Sequence, residues 1–117
     1  MANDNFDGDV AITLQPNDSG VPFQFEFKAC SSPTANDGSI PFGTTISGVS
    51  VTGHTGAGTD FTSQLIANYT LDANLVTVFL NYPSGRGVGT YHLTFVLTLD
   101  SGTVMEFDFN EITATNL

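Results

Sequence analysis

Apolar and polar residues alternate along several short stretches of this chain. Between Tyr91 and Leu99, apolar residues take every second position, and residues such as His92 and Thr94 stand between them. A period of two places the two sets on opposite faces of an extended strand, whereas a helix would spread them around its circumference. We therefore expect strands with one buried face. The residues expected to form their core are Phe23, Phe25, Phe27, Tyr91, Leu93, Phe95, Phe107 and Phe109.

Clusters of turn-forming residues separate these strands from further candidates. The additional predicted strands are residues 10–14, 46–52 and 75–81, of which the last is apolar on both faces, as expected for a strand covered on both sides. The predicted loops are the Gly-rich segments 53–58 and 82–89 and the tight hairpin at 100–102. Residues 60–69 fit a strand, an irregular edge or one helical turn, and we favour the strand or edge. A total of about seven short strands predicts an all-β sandwich.

Tyr91 stands at the start of the most regular of these strands. Gly89 precedes it by two positions, and Leu93 follows by two, where an immunoglobulin domain carries its second cysteine. The arrangement resembles the tyrosine corner, in which a phenol hydroxyl binds the backbone of the preceding turn. The chain has one cysteine, Cys30, so it forms no internal disulfide. We expect an immunoglobulin-like β-sandwich held together without a disulfide.

The charge of the chain is strongly one-sided. Twelve of its 117 residues are acidic and two, Lys28 and Arg86, are basic, which gives a net charge of −10. Binding to nucleic-acid phosphates or to anionic lipids depends on cationic side chains, so we expect neither a nucleic-acid nor a membrane partner. The length suits one domain. We expect a flexible acidic arm at residues 1–9 and a single sandwich domain over residues 10–117.

Residues with catalytic or metal-binding chemistry are few and scattered. His54 lies in a Gly-rich segment and His92 on the polar face of a strand, and we expect both to be exposed. Cys30 lacks the cationic surroundings that make a thiol reactive, and Glu106 and Asp108 share what we expect to be a solvated strand face. The acidic turn clusters, which lack the spacing of a calcium-binding EF-hand loop, are residues 4–9, 17–18 and 36–38. We expect no catalytic, cofactor or metal site.

The order of the elements over residues 46–113 is similar to that of a known group of proteins. The strand Val76-Thr77-Val78-Phe79-Leu80 is followed by a Gly-rich loop, the Tyr91 strand, the hairpin Leu99-Asp100-Ser101-Gly102-Thr103 and the strand Glu106-Phe107-Asp108-Phe109. This order resembles a group of small phage virion proteins with an immunoglobulin-like sandwich. The resemblance implies a structural role in decorating capsids, capping tails or extending fibres.

Among these roles we expect a capsid decoration (cement) protein on the outer surface of the phage head. A disulfide-free sandwich without a secretory leader fits synthesis and assembly in the host cytoplasm. A strongly negative surface would be repelled by the DNA packed inside the head. We expect the major capsid protein as partner, and the resemblance implies a homo-oligomer, with a trimer favoured. The possible interface residues are Phe6, Phe42, Tyr82 and Arg86.

Three other functions remain open from the sequence. A tail, neck or baseplate component of the same particle would have the same sequence features. A carbohydrate-binding module would use an aromatic platform, for which Phe42, Tyr69 and Tyr82 are the candidates. An enzyme would need a nucleophile within reach of His54 or His92, and abundant serines and threonines make such proximity uninformative.

Overall fold

The alternating pattern becomes seven strands and one helical turn within residues 11–116, the part of the chain that the computed structural model describes. The elements in chain order are β1 (Ile12–Leu14), β2 (Val21–Glu26), β3 (Ile46–Thr55), α1 (Thr62–Leu65), β4 (Ile66–Asp72), β5 (Leu75–Leu80), β6 (Gly89–Leu99) and β7 (Val104–Ala114). Buried residues alternate with half-buried or exposed ones along β6 and β7, because each strand has one face on the core and one face outward. The predicted all-β class is confirmed.

Two sheets pack face to face. One has the order β1-β7-β6-β3 and the other has the order β2-β5-β4. Strand β1 runs parallel to β7, and the other neighbours are antiparallel. This division corresponds to strands C, F and G in one sheet and B, E and D in the other, as in an immunoglobulin domain. The predicted seven-stranded sandwich is therefore confirmed, with β6 in the place of strand F.

Phenylalanine rings from both sheets meet at the centre of the core. Phe25 and Phe27 of the β2 segment lie against Phe95 of β6, with ring centroids 4.8 and 5.4 Å apart. Phe25 also meets Phe109, and Phe27 meets Phe107, each at 5.2 Å. All five side chains are buried, and their tilted or edge-on contacts are the geometry that aromatic pairs prefer. This cluster joins the sheets in a fold that has no disulfide.

The directions of the strands sort the loops into two ends of the sandwich. At the first end lie residues 15–20, 56–65 and 81–88, where β1, β3 and β5 finish. At the second end lie residues 27–45, 73–74 and 100–103. The hairpin at 100–103 forms as predicted, with Gly102 at a φ of 89°. Any site built from loops must therefore draw on one of these two groups.

The structure corrects two predictions about the segment between β3 and β4. Strand β3 continues to Thr55, so His54 lies in a strand and not in the predicted loop, because its backbone pairs with His92 of β6. Residues Thr62–Leu65 form a helical turn, and only the later part of the favoured strand, β4, is extended. The helical turn places the Leu65 side chain fully inside the core. A strand continuing from residue 60 would not have to bury this side chain.

Three further predictions concern the burial of β5, the burial of Phe23 and the arm at residues 1–9. Strand β5 is not buried on both faces: its outward side chains, including Phe79, are half-buried, and the neighbouring strands β2 and β4 flank them. Phe23 is half-buried against the core, on the same face as Phe25. The predicted arm at residues 1–9, with Phe6, lies outside the described residues.

Candidate functional site

Tyr91 binds the loop that precedes β6 through a hydrogen bond. Its hydroxyl donates a hydrogen bond of 2.6 Å to the carbonyl oxygen of Gly87, four residues earlier, and its side chain is fully buried. Burial raises the pKa of the Tyr91 phenol, and the positive charge of Arg86 opposes part of that rise. The contact is the tyrosine-corner hydrogen bond that the spacing predicts. It joins the loop at residues 81–88 to the core.

Arg86 covers this corner from outside. Its guanidinium carbon lies 5.2 Å from the centre of the Tyr91 ring, and one of its nitrogens donates to the Thr90 carbonyl oxygen at 3.3 Å. Gly89 has a φ of +153°, and a Cβ there would stand 2.9 Å from the Arg86 guanidinium. Glycine at this position therefore lets the arginine lie against the backbone. Arg86, predicted as an interface residue, is exposed but is also part of the tyrosine corner.

The aromatic residues predicted for an interface or for a sugar-stacking platform do not lie together. Phe42 is 51% exposed in the 27–45 connection, at the second end of the sandwich. Tyr82 begins the loop at the first end and is half-buried against the core. Tyr69 is also half-buried against the core, on β4. The structure therefore does not assemble the aromatic platform that a carbohydrate-binding module would need.

A hydrogen-bonded network crosses the outward face of the four-stranded sheet. His54 of β3 stands opposite His92 of β6, with ring centroids 5.6 Å apart. The Nε2 atom of His54 lies 2.9 Å from the Thr94 hydroxyl, and that hydroxyl donates to a carboxylate oxygen of Asp108 at 2.9 Å. The network connects β3, β6 and β7, which the sequence does not predict because the alternation places these residues on faces but not opposite one another.

The direction of these hydrogen bonds decides what the network can do. An ionised Asp108 only accepts, so the single proton of the Thr94 hydroxyl goes to it. His54 must then carry its proton on Nε2 and donate to Thr94, while its Nδ1 is buried without a hydrogen-bond partner among the described residues. A threonine nucleophile would have to give its proton to the histidine. In this network the proton of the Thr94 hydroxyl goes to Asp108, so the hydrogen bonds connect neighbouring strands.

Thr94→Val should lower the free energy of unfolding by about 0.5–1.5 kcal/mol, because it leaves the shape unchanged and removes both hydrogen bonds. Thr98→Val is the matched control, since Thr98 is exposed on the same face of β6 and is not part of the network. Urea unfolding of both variants measures the difference. Equal stability of the two variants would show that the network contributes nothing to the fold.

The remaining acidic and thiol candidates have structural partners or are exposed. Hydrogen bonds from Ser31 lower the pKa of the Asp37 carboxyl, and those from Thr62 lower the pKa of Asp60. These carboxylates hold turns together, as Asx residues do. Cys30 is a free, half-exposed thiol. Within residues 11–116, no group of three or more His, Cys, Asp or Glu side chains is placed to hold a metal ion.

Exposed carboxylates line the outward face of β7. Glu106, Asp108 and Glu111 are all exposed, and we call them the acidic face. The only lysine and the only arginine of the chain lie elsewhere, after β2 and in the loop at residues 81–88. Val104, at the start of the same strand, is 62% exposed. This face offers charge and some apolar surface for contact with another molecule.

No model of a known protein family matches the sequence, and neither a curated protein nor a solved structure matches the chain. Across residues 11–116, no helix is long and apolar enough to span a membrane.

Proposed function

We propose that this chain is a non-enzymatic structural protein of a phage virion, a decoration protein on the outer surface of the head. The observation that carries the proposal is the acidic face, in which exposed carboxylates lie on the outward side of β7 without a cationic side chain on that strand. A surface of this charge is compatible with the outside of a DNA-filled shell and is repelled by DNA phosphates. The proposal also rests on the resemblance of residues 46–113 to small phage virion proteins.

Several features support a binding role over a chemical one. Thr94, whose hydroxyl is hydrogen-bonded to His54, donates to Asp108 and is not prepared as a nucleophile. Apolar side chains that remain accessible, Phe42 at 51% and Val88 at 58%, lie in loops at the two ends of the sandwich. Exposed apolar residues in loops suit contacts with the major capsid protein and with further copies of this chain, with a trimer favoured.

Heads assembled without this chain test the proposal. We expect them to release DNA at a lower temperature than complete heads, and purified chain added back should restore the higher temperature. Phe42→Asp should reduce the restoring activity at least tenfold, while Phe42→Leu, which keeps the apolar surface, should retain most of it. Heads that keep full heat resistance without the chain would overturn the decoration role.

A tail, neck or baseplate component is the alternative within the same particle. Copy number separates the two: hundreds of copies per virion indicate decoration of the head, and a dozen or fewer indicate the tail. Quantitative gel densitometry of purified virions against the major capsid protein provides the measurement.

A further inference from the structure

Two histidine side chains meet on the outward face of the four-stranded sheet. His54 of β3 and His92 of β6 are direct partners in the strand register, and both are half-buried. Their ring centres are 5.6 Å apart, and the ring planes are inclined by 75°. They are the only two histidines of the chain. The fold therefore brings together two imidazoles, and imidazole is the side chain that most often binds transition metals.

The hydrogen bonds of His54 determine which of its two nitrogens can accept a metal ion. Because Asp108 accepts the proton of the Thr94 hydroxyl, His54 donates from Nε2 to Thr94 and keeps its lone pair on Nδ1. Nδ1 is buried and has no hydrogen-bond partner among residues 11–116. In metal sites, the other ring N–H of a histidine ligand is usually hydrogen-bonded, which fixes the tautomer. The contact with Thr94 does the same for His54 and leaves Nδ1 able to bind a cation.

The spacing of the two rings suits a shared metal ion. Zinc binds an imidazole nitrogen at about 2.0–2.1 Å, so two imidazoles on one tetrahedral zinc ion have ring centres about 5 Å apart. A rotation of the His92 ring about its side-chain bonds brings the observed separation of 5.6 Å to this value. Binding requires a side-chain rotation in any case, because Nδ1 of His54 is buried. His92 is half-buried on the outward face, so its ring can both turn and bind.

The charges around the histidine pair favour a cation. The backbone of Asp60 forms an isolated bridge with that of His54, and Asp108 is connected to the same histidine through Thr94. No lysine or arginine belongs to β3, β6 or β7. The whole chain has a net charge of −10. A negative surface raises the local concentration of cations, so a divalent ion approaches this face without repulsion from these strands.

We propose that Nδ1 of His54 and the imidazole of His92 bind one divalent transition-metal ion, zinc or a similar ion, with water in the remaining positions. Nitrogen ligands favour zinc, nickel and copper over calcium and magnesium, which prefer oxygen. The bound ion links β3 to β6 and stabilises the folded chain by mass action. With two protein ligands, the site exchanges its ion more readily than a structural zinc centre, which has four. The inference does not depend on the virion role, because it rests on the histidine pair alone.

Titration of the full chain with zinc chloride at neutral pH tests this inference. Calorimetry should give one zinc ion per chain. The imidazole nitrogen NMR signals should show His54 with its proton on Nε2 before zinc is added and bound through Nδ1 afterwards. His54→Gln and His92→Gln should each bind zinc at least tenfold more weakly than the unmodified chain. Calcium chloride at the same concentration should leave the imidazole signals unchanged.

Three further variants separate binding by the histidine pair from zinc binding elsewhere. Thr94→Val removes the contact that fixes the tautomer of His54 and should weaken zinc binding about tenfold or more. Cys30→Ser removes the free thiol and Glu106→Gln removes an exposed carboxylate outside the network, and both should bind zinc like the unmodified chain.

Several results would overturn the inference. They are unchanged affinity in either histidine variant or in Thr94→Val, coordination through Nε2 of His54, and loss of binding in Cys30→Ser or Glu106→Gln. A zinc-dependent dimer, detected by sedimentation, would also overturn it, because the two histidines would then bind ions between copies. So would the absence of binding at millimolar zinc.

Discussion

Phe95→Ala should cost about 3–5 kcal/mol of unfolding free energy, the largest effect of any substitution considered for this chain. Phe95 is fully buried, and its ring contacts both Phe25 and Phe27 of the opposite sheet. Removing the ring loses apolar burial and opens a cavity between the sheets. Because a domain is stable by only about 5–15 kcal/mol, the variant should unfold at much lower urea concentration or fail to fold.

Two further variants serve as comparisons for Phe95→Ala. Phe95→Leu keeps much of the volume and should lose only part of the stability, which keeps the measurement possible if the alanine variant does not fold. Phe42→Ala is the matched control, because Phe42 is 51% exposed and its removal should change stability by less than about 0.5 kcal/mol. Similar midpoints for Phe95→Ala and Phe42→Ala would mean that the aromatic cluster does not hold the two sheets together.

Tyr91→Phe should cost about 1–2 kcal/mol, because it removes the hydroxyl but keeps the buried ring. The carbonyl of Gly87 loses a hydrogen bond of 2.6 Å in a partly buried position. The stacking of Arg86 on the ring should persist, so the loss reports the hydrogen bond. The backbone amides of residues 81–88 should also exchange hydrogen faster in this variant, since the hydrogen bond from Tyr91 joins this loop to the core.

Tyr69→Phe provides the comparison for the tyrosine corner. Tyr69 is half-buried on β4 and lies away from residues 81–88. Its variant should unfold within about 0.5 kcal/mol of the unmodified chain. If Tyr91→Phe is equally harmless, the contact with Gly87 is a consequence of the fold and not one of its supports.

The acidic face on β7 and the edge strand β3 lie at different places on the same four-stranded sheet, separated by β6. Under the proposed decoration role, the exposed carboxylates of the acidic face are available for contact with another protein.

The local features of this fold could be predicted from the sequence because they depend on residues close together in the chain. The alternation along Tyr91–Leu99 defines two faces through the pleat of a strand, and the register of that pattern needs no distant partner. Tyr91 reaches Gly87 across four residues, so spacing alone predicts the contact. The hairpin at 100–102 likewise follows from a glycine that adopts a positive φ.

Only the tertiary structure decided how these faces and edges meet. His54 faces His92 because β3 and β6, which are far apart in sequence, pair in one register, and Thr94 reaches Asp108 through the register of the β6–β7 hairpin. Leu65 is fully buried in the core and lies at the end of a helical turn, Thr62–Leu65. Strand β3 is an edge of its sheet because no described strand pairs beyond it. Periodicity reports which side of a strand is apolar, but long-range packing selects its neighbours, and the candidate binding surfaces depend on those neighbours.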